Sequence, residues 1–484
     1  YSGQISNAAG LAASVSGGTW NVVKNATIAS LNVSNGGTLG VTLDKTAGAS
    51  SSLTVSGTAS FGDGSKLQLR VANVAQAEGN YLVLSAGSLV GGDKLTATST
   101  TLPFLYKGVL AQSGNQLSVS ITRKSAAELG LNASESAAYA AIYEALGTDT
   151  AIGGSFLAIN AQDQFLSTIR QMLPDHAGGS FEAVTAGDRS IARMLEDPAA
   201  PYKEAGGMRY WFAQTAWGSA KDIGSTAGFK VGGWGVTAGA EALTAVGHLG
   251  ASLQYLSGKN NDRTTDNGLT DDQYGLAAHW RIRKGGLQAV VRGGWNHLSF
   301  SGKRFFNSDA TGTPVERTIS SEWKGSLVSA TGHVSQQLWA GSFYIRPSVG
   351  VDYYRLTENA HTETGGGTAL DLSIDKRKSS ETAVNGLLAA GVEFGGASED
   401  EGYFTLEVEG GRRQIVGGSL GATVARFEGG DDFTLVPEER ESGWVGRLRG
   451  IGGGADYQIA GEVGAEQREG RVALTARVGL TLGL

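Results

Sequence analysis

From residue 207 to residue 484 apolar and polar residues alternate with a period of two, and no other feature restricts the fold as much. In the last segment Val472, Leu474, Ala476, Val478, Leu480, Leu482 and Leu484 share one face, and Ala473, Thr475, Arg477, Gly479, Thr481 and Gly483 share the other. Side chains of a strand point alternately to opposite sides, so this segment is a strand with one wholly apolar side. Phe404/Leu406/Val408 against Thr405/Glu407/Glu409, Phe343/Ile345/Val349/Val351 against Tyr344/Arg346/Ser348/Asp352, and Leu287/Ala289/Val291 against Gln288/Arg292 repeat it.

Twelve strands are predicted, near 208–218, 233–245, 247–257, 270–283, 287–300, 321–339, 342–357, 382–395, 402–416, 442–452, 456–466 and 470–484. A soluble sandwich alternates as well, so the connections decide. Those after the second, fourth, sixth and tenth strands are tight: Val246, Lys284-Gly285-Gly286, Ala340-Gly341 and Gly453-Gly454-Ala455. Those after the first, third, fifth, seventh and ninth are longer and mostly polar, for example Glu358 to Glu381 and Gly417 to Glu441. Short turns on one rim, long loops on the other and an even strand number describe an antiparallel transmembrane barrel of a bacterial outer membrane. The short eleventh-to-twelfth connection departs from this pattern, and the eighth-to-ninth is long for a turn. Trp211, Trp217, Trp234, Tyr274, Trp280, Trp295, Tyr353, Phe404 and Trp444 are expected in aromatic girdles at the two interfaces, with some filling the lumen.

Before the barrel the pattern changes twice. Up to about residue 124 charges are sparse, and short alternating runs (Leu31/Val33, Leu39/Val41/Leu43, Leu53/Val55, Leu67/Leu69/Val71, Leu117/Val119/Ile121) are separated by turns such as Asn35-Gly36-Gly37 and Asp63-Gly64. Each run is too short to bury its face alone; stacking rungs into a β-solenoid solves this, with spacing too irregular to fix a repeat. Between 125 and 198 the period is helical. Ser134 and Glu135 open a run with Ala138, Tyr139, Ile142 and Leu146; Phe165, Leu166, Ile169, Met172 and Leu173 follow before Pro174, and a third helix is predicted near 180–197.

Composition narrows the alternatives. The chain has 484 residues with 74 Gly, 7 Pro, no Cys and 40% apolar residues, which permits a packed core and excludes collagen-like and disulfide-stapled folds. The lack of Cys suits passage through an oxidising compartment. A net charge of −7 without a basic stripe argues against a nucleic-acid partner, which needs phosphates neutralised. No run approaches the roughly 18 apolar residues of a membrane-spanning helix. The chain begins at Tyr1 without Met, so a removed export signal and further sequence are expected upstream.

Four stretches carry a family likeness: NATIASLNVSNGGTL (25–39), YLVLSAGSLVGGDKLTATSTTLPFLYKGVL (81–110), RYWFAQTAWGS (209–219) and FTLEVEGGRRQIVG (404–417). In this order they make nearly the whole chain resemble the C-terminal portion of a classical, monomeric autotransporter of the type V secretion family. The resemblance implies a mainly β chain in three parts: the end of a right-handed β-solenoid passenger with an autochaperone-like terminus (1–124), a helical linker with a pore helix (125–206), and a 12-stranded translocator barrel (207–484). It implies a monomer anchored in the outer membrane that displays its passenger on the cell surface. Outer-membrane lipid and lipopolysaccharide are its surroundings, and the β-barrel assembly machinery and periplasmic chaperones insert it. Family barrels commonly end on an aromatic residue; this one ends on Leu484.

Both ends of an even-stranded barrel share a rim, so a passenger outside must connect through the lumen, and residues 180–197 are the segment expected there. At about 1.5 Å per residue a helix of about 17 residues is roughly 25 Å long, near the height of the apolar band of such barrels. At about 100° per residue Glu182, Arg189, Arg193 and Glu196 share one face, with Val184, Ile191, Met194 and Leu195 roughly opposite. The lumen is expected to carry Arg281, Arg292, Arg346, Glu407, Glu409, Arg447, Arg449, Glu462 and Arg477. Charges taken out of water need partners, so the two sets should meet. Because 180–197 contains no Asn, whereas some family members cut this helix at an asparagine pair, an uncut display protein is expected.

A catalytic reading finds little support. His176, His248, His279, His297, His333 and His361 are scattered without paired metal spacing, no Gly-x-Ser-x-Gly elbow sits on a strand-to-helix turn, and the Gly-Asp-Ser block of lipase-type passengers is absent. Asp262, Asp266, Asp271 and Asp272 raise calcium, but their spacing matches no calcium loop and a solvated loop is expected. The expectation is a non-enzyme with no cofactor and no metal. Alternatives are a diffusion porin, which needs no residues 1–200, and an adhesin or surface enzyme whose active part lies upstream of Tyr1.

Overall fold

The computed structural model describes residues 1–46, 50–95, 100–198, 207–395 and 402–483. The alternating segments form twelve antiparallel barrel strands: β1 Met208–Lys221, β2 Phe229–Thr244, β3 Gly247–Asp262, β4 Gly268–Lys284, β5 Leu287–Ser308, β6 Val315–Gln336, β7 Phe343–Glu358, β8 Arg377–Gly395, β9 Tyr403–Gly417, β10 Gly443–Gly453, β11 Tyr457–Arg468 and β12 Arg471–Gly483. Sequence neighbours pair throughout, and β1 pairs with β12, Arg209 opposite Gly483, which closes the sheet. A closed sheet satisfies its backbone internally, as lipid requires. Leu474, Val478 and Leu482 of β12 point outward and are exposed, whereas Arg477 points inward and is buried.

β5 and β6 each run 22 residues, about twice what a tilted strand needs to cross a bilayer. The predicted bounds at 300 and 321 fall short because outward positions beyond them, Ser301 and Lys303 on β5 and Ser320 on β6, are polar. Past the bilayer the outer face meets water and loses the apolar signal. The β11–β12 turn can be tight because Glu469 and Gly470 both take positive φ, 48° and 71°, the backbone of a two-residue hairpin turn. Residues 396–401 of the β8–β9 connection and the terminal Leu484 lie outside the described residues.

Among the described residues five α-helices precede β1: α1 Ala126–Leu129, α2 Ala133–Ala145, α3 Thr150–Ala158, α4 Gln162–Arg170 and α5 Gly179–Ala192, the last continued by a 3-10 turn, Arg193–Glu196. α2 starts one residue earlier than Ser134, because Asn132 caps it and Glu135 closes a capping box. α3 was not predicted; Gly153 and Gly154 weaken its helical signal, but Asp149 caps it.

The N-terminal strands form two sheets paired in parallel. One takes Thr19–Val22, Thr38–Leu43 and Lys66–Val71; the other takes Ala12–Ser16, Ser30–Ser34, Leu53–Phe61 and Gly79–Val90, then the antiparallel hairpin Tyr106–Ser113/Gln116–Arg123. Like residues fall in register, Val22 with Val41 and Leu69, and Val15 with Val33 and Phe61.

The long loops, mostly polar in sequence, are nevertheless built into the fold. Residues 359–376 and 418–442 contain the short strands His361–Thr362, Leu372–Ile374, Thr423–Phe427 and Phe433–Leu435, paired in one small sheet. Leu370, Leu372, Phe427, Phe433 and Leu435 join an apolar core shared with α2 to α4, the N-terminal strands, Phe306 of β5 and Ile319 of β6. The described residues up to 173 are thereby seated on the loop rim. The acidic-loop reading changes too: Asp271 and Asp272 lie within β4 on opposite faces, Asp271 buried and receiving Gln273 at 2.9 Å, Asp272 receiving the Tyr255 hydroxyl at 2.7 Å.

Candidate functional site: the helix in the barrel lumen

All fourteen residues of α5 are buried inside the barrel. Its direction is fixed at both ends. Before it, Asp175 receives Asn260 of β3 at 2.9 Å near the loop rim; after it, the Asp197 carbonyl receives Arg283, near the turn-rim end of β4, at 3.3 Å. The helix therefore runs from loop rim to turn rim, where β1 begins.

The first turn needs an apolar wall. Phe181 and Val184 pack against Leu269, Leu298, Phe300, Leu327, Tyr354 and Leu356, while Ala186 and Ile191 meet Trp217 and Leu256. Trp211 and Trp217, two girdle candidates, are thus lumen residues, both nearly buried. Gly187 is required by this contact, since a Cβ there would lie 2.7 Å from the Trp217 ring. On the outer face Trp234, Tyr274, Trp295, Phe404 and Trp444 stay exposed, Tyr353 is half-buried, and the Trp280 indole donates to the Val246 carbonyl at 2.7 Å.

The charged side meets strands β8 to β12. Arg440, from the loop 418–442, and Arg468 of β11 both donate to the Glu182 carboxylate, and the Arg440 guanidinium lies 5.0 Å over the Phe181 ring. Arg189 lies 3.9 Å from Glu182 and from Glu466. Arg193 lies 3.4 Å from Glu462 and donates to Thr475 at 3.1 Å. Just past the helix, Asp197 receives Arg477 at 2.6 Å and lies 3.2 Å from Arg449.

The opposite face is not purely apolar. Asp188 receives Gln254 at 2.7 Å, Arg292 at 3.2 Å and Asn296 at 3.4 Å, so the helix is held by charge on two walls. Around it the barrel has its own ladder: Arg346 to Glu407 at 2.7 Å and Glu409 at 3.3 Å, Arg447 to Glu409 at 2.6 Å, and Arg449 to Glu462 at 2.6 Å. Arg281 donates to Glu241, which also lies 3.1 Å from His279.

Of the lumen candidates, Arg292, Arg449, Glu462 and Arg477 pair with side chains of the helical segment, and Arg346 reaches it through the Glu196 carbonyl at 3.3 Å. Glu407, Glu409 and Arg447 bond along the wall, as does Arg281. Of the helix candidates, Glu182, Arg189 and Arg193 carry side-chain pairs, and Glu196 contributes its carbonyl. Sequence reasoning missed Asp188, Asp197, Glu241, Arg440, Glu466 and Arg468. Asp188 had a signal, an acid inside the apolar arc, which demands a buried partner; but Arg292 is 104 residues away, and periodicity cannot pick it from the other lumen cations.

Such pairs are costly to bury and costly to break: removing one partner of a buried pair costs about 3–5 kcal/mol. The packing is also close. Two cavities beside the helix measure about 10 Å³, at Ala186 and Trp217, and about 20 Å³, at Ala192 and Tyr354. A water needs about 10–15 Å³, so each holds one or two at most. This arrangement can obstruct a pore and anchor a chain that threads it.

A family model for the autotransporter beta-domain matches residues 211–466, more than half of the 484. Among solved structures, the translocator domain of autotransporter NalP from Neisseria meningitidis is similar at 14% identity and TM-score 0.46, covering 64% of this chain and 98% of that one. The beta domain of the Bordetella autotransporter BrkA aligns at 11% identity and TM-score 0.40, over 57% and 99%. The transport unit of AIDA-I from Escherichia coli aligns at 11% identity and TM-score 0.35, over 64% and 100%. No curated protein matches. The chain, with its closed barrel across the outer membrane and a helix in the lumen, belongs to the autotransporter family.

Proposed function

We propose that this chain exports its own N-terminal region through the barrel and displays it on the cell surface, with α5 left in the lumen as a plug. The observation that carries the reading is the run of α5 from Asp175 at the loop rim to Asp197 near the turn rim. The apolar core of the described residues before it is shared with Phe306, Ile319 and the long loops at the loop rim, although β1 starts at the other. Export needs no ATP here: each rung added outside buries apolar residues such as Leu39 and Val41 and disfavours return. The barrel acts as a monomer, inserted by the β-barrel assembly machinery with periplasmic chaperones, and the passenger stays attached and has no enzymatic role of its own in this reading.

An epitope inserted at Asp63-Gly64 tests display. It should bind antibody on intact cells, and labelling only after permeabilisation would overturn the proposal. On a denaturing gel the epitope should run with the barrel as one band; two bands would refute attachment. In planar bilayers the full chain should conduct weakly, with a sharp rise when residues 1–200 are removed. Large and equal conductance would instead favour the diffusion porin.

A further inference from the structure

Within the lumen arginines are paired with acids, but one group of cations on the opposite side of the wall is not. Lys324 of β6, Arg355 of β7 and Lys378 of β8 all point outward and are exposed, and among the described residues none has an ion pair. The register brings them together. Thr357 of β7 faces Ser326 of β6 on one side and Lys378 on the other; Arg355 is two residues below it, and the residue two above, Asn359, donates its backbone N–H to the Lys324 carbonyl at 2.9 Å. Three long cationic side chains thus surround Thr357 on three adjacent strands. Below them the outward residues become aliphatic first on β6, where Val328 stands opposite Arg355, and then, past Ser380 and the half-buried Tyr353 opposite Thr382, on β7 and β8, where Val351 stands opposite Val384. The next outward residue up β6 is an acid, Glu322, opposite Ser301, so the cationic field is confined to a narrow belt.

A cationic belt directly above the lipid-facing band, on the long-loop side, lies where the headgroups of the outer leaflet meet the barrel. Cations there gain by pairing with anionic headgroups while their stems lie along apolar surface. We propose that Lys324, Arg355 and Lys378 form a binding site for the phosphate groups of an outer-leaflet lipid whose acyl chains lie against Val328, Val351 and Val384. The occupant is a phosphorylated lipid, not free phosphate, because Val328 opposite Arg355 joins the cations to the aliphatic surface, with the Tyr353 ring between them and Val351.

The test uses the full chain, purified in detergent, with retained lipopolysaccharide counted by native mass spectrometry. The K324Q/R355Q/K378Q variant should bind phosphorylated lipopolysaccharide about 100-fold more weakly, roughly fivefold per cation. The intact protein should show a similar loss towards the same lipid after enzymatic dephosphorylation. The charge-conserving K324R/R355K/K378R variant should retain binding within a few fold, and both variants must keep the compact migration of the folded barrel on unheated gels. Equal retention by the neutral variant, indifference to dephosphorylation, or full competition by millimolar inorganic phosphate would overturn the site as a lipid site.

Discussion

The N-terminal strands and the barrel use the same alternation with opposite polarity. In the first, Leu39, Val41 and Leu67 point inward and are wholly buried; in the second, Leu474, Val478 and Leu482 point outward, and Arg449, Glu462 and Arg477 are buried inside. Alternation therefore says that a strand has two unlike faces and is silent on which one meets which medium. Where water surrounds the strands the apolar face must hide. Where hydrocarbon surrounds them it needs no hiding, and the interior is free to carry charge, provided each charge finds a partner. One region is held by apolar contact and the other, around α5, by ion pairs, and the two should fail differently.

The largest effect is expected from unpairing a lumen charge. Asp188→Asn leaves Arg292 buried without its counter-ion, at a cost of about 3–5 kcal/mol, read as a lower temperature at which the folded barrel loses its compact gel migration. The double variant D188L/R292M should recover most of that loss, since a buried pair replaced by apolar residues of similar volume is often neutral. If the double were as damaging as the single, charge in the lumen would be needed for stability itself, and the contrast between the regions would sharpen. If Asp188→Asn were silent, the ion-pair account of the helix would fail.

Next in size is Leu39→Ala, which opens a cavity between Trp20 and Leu67, its register partners. It should cost about 2–5 kcal/mol in the N-terminal strands, measured by hydrogen exchange of Thr38–Leu43, and leave the barrel's thermal transition in place. A shift of both would show that the apolar core shared across the loop rim makes them one cooperative unit.

That shared core marks where sequence reading stopped. The twelve barrel strands were legible because a membrane enforces one apolar face over many residues. Strand ends beyond residue 300 were not, because the outward face there meets water. The short loop strands around Leu372 and Phe427 carry too few residues to show a period, and α3 is masked by Gly153 and Gly154. In the lumen the charged residues themselves could be listed from alternation, as with Arg292, Arg449, Glu462 and Arg477. Their pairing could not, since it depends on the helix's rotation and on Arg440, which a loop folds inward.

A smaller effect probes a close steric contact between helix and wall. Gly187→Ala places a methyl group 2.7 Å from the Trp217 ring, and overpacking of this kind costs about 1–3 kcal/mol. Wall and helix must then separate slightly, so the full chain should conduct a little more in a planar bilayer while its β content is unchanged by circular dichroism. Unchanged conductance with unchanged melting would mean that the indole simply rotates away and that packing contributes less than charge to the seal.

The smallest effect lies outside the membrane, at the joint between the two regions. Glu128 accepts from Lys107 at 2.6 Å, from the Ser125 N–H at 2.8 Å and from the Ser125 hydroxyl at 2.9 Å, closing the capping box of α1. The Lys107 bond foremost, and then the two from Ser125, hold its carboxyl down at about 2 from an ordinary value of 4.5. A carboxyl depressed on folding adds stability that is complete above the unfolded value and is lost as pH falls from about 4.5 towards about 2. Glu128→Gln should therefore lower the melting temperature of the N-terminal strands slightly at pH 7 and hardly at all near pH 2. Because the pair is solvent-exposed, raised salt should shrink the pH 7 difference as well. A difference that persisted unchanged at low pH would assign the effect to side-chain shape at the cap, and the joint would then belong with the apolar region and not with the ion-paired one.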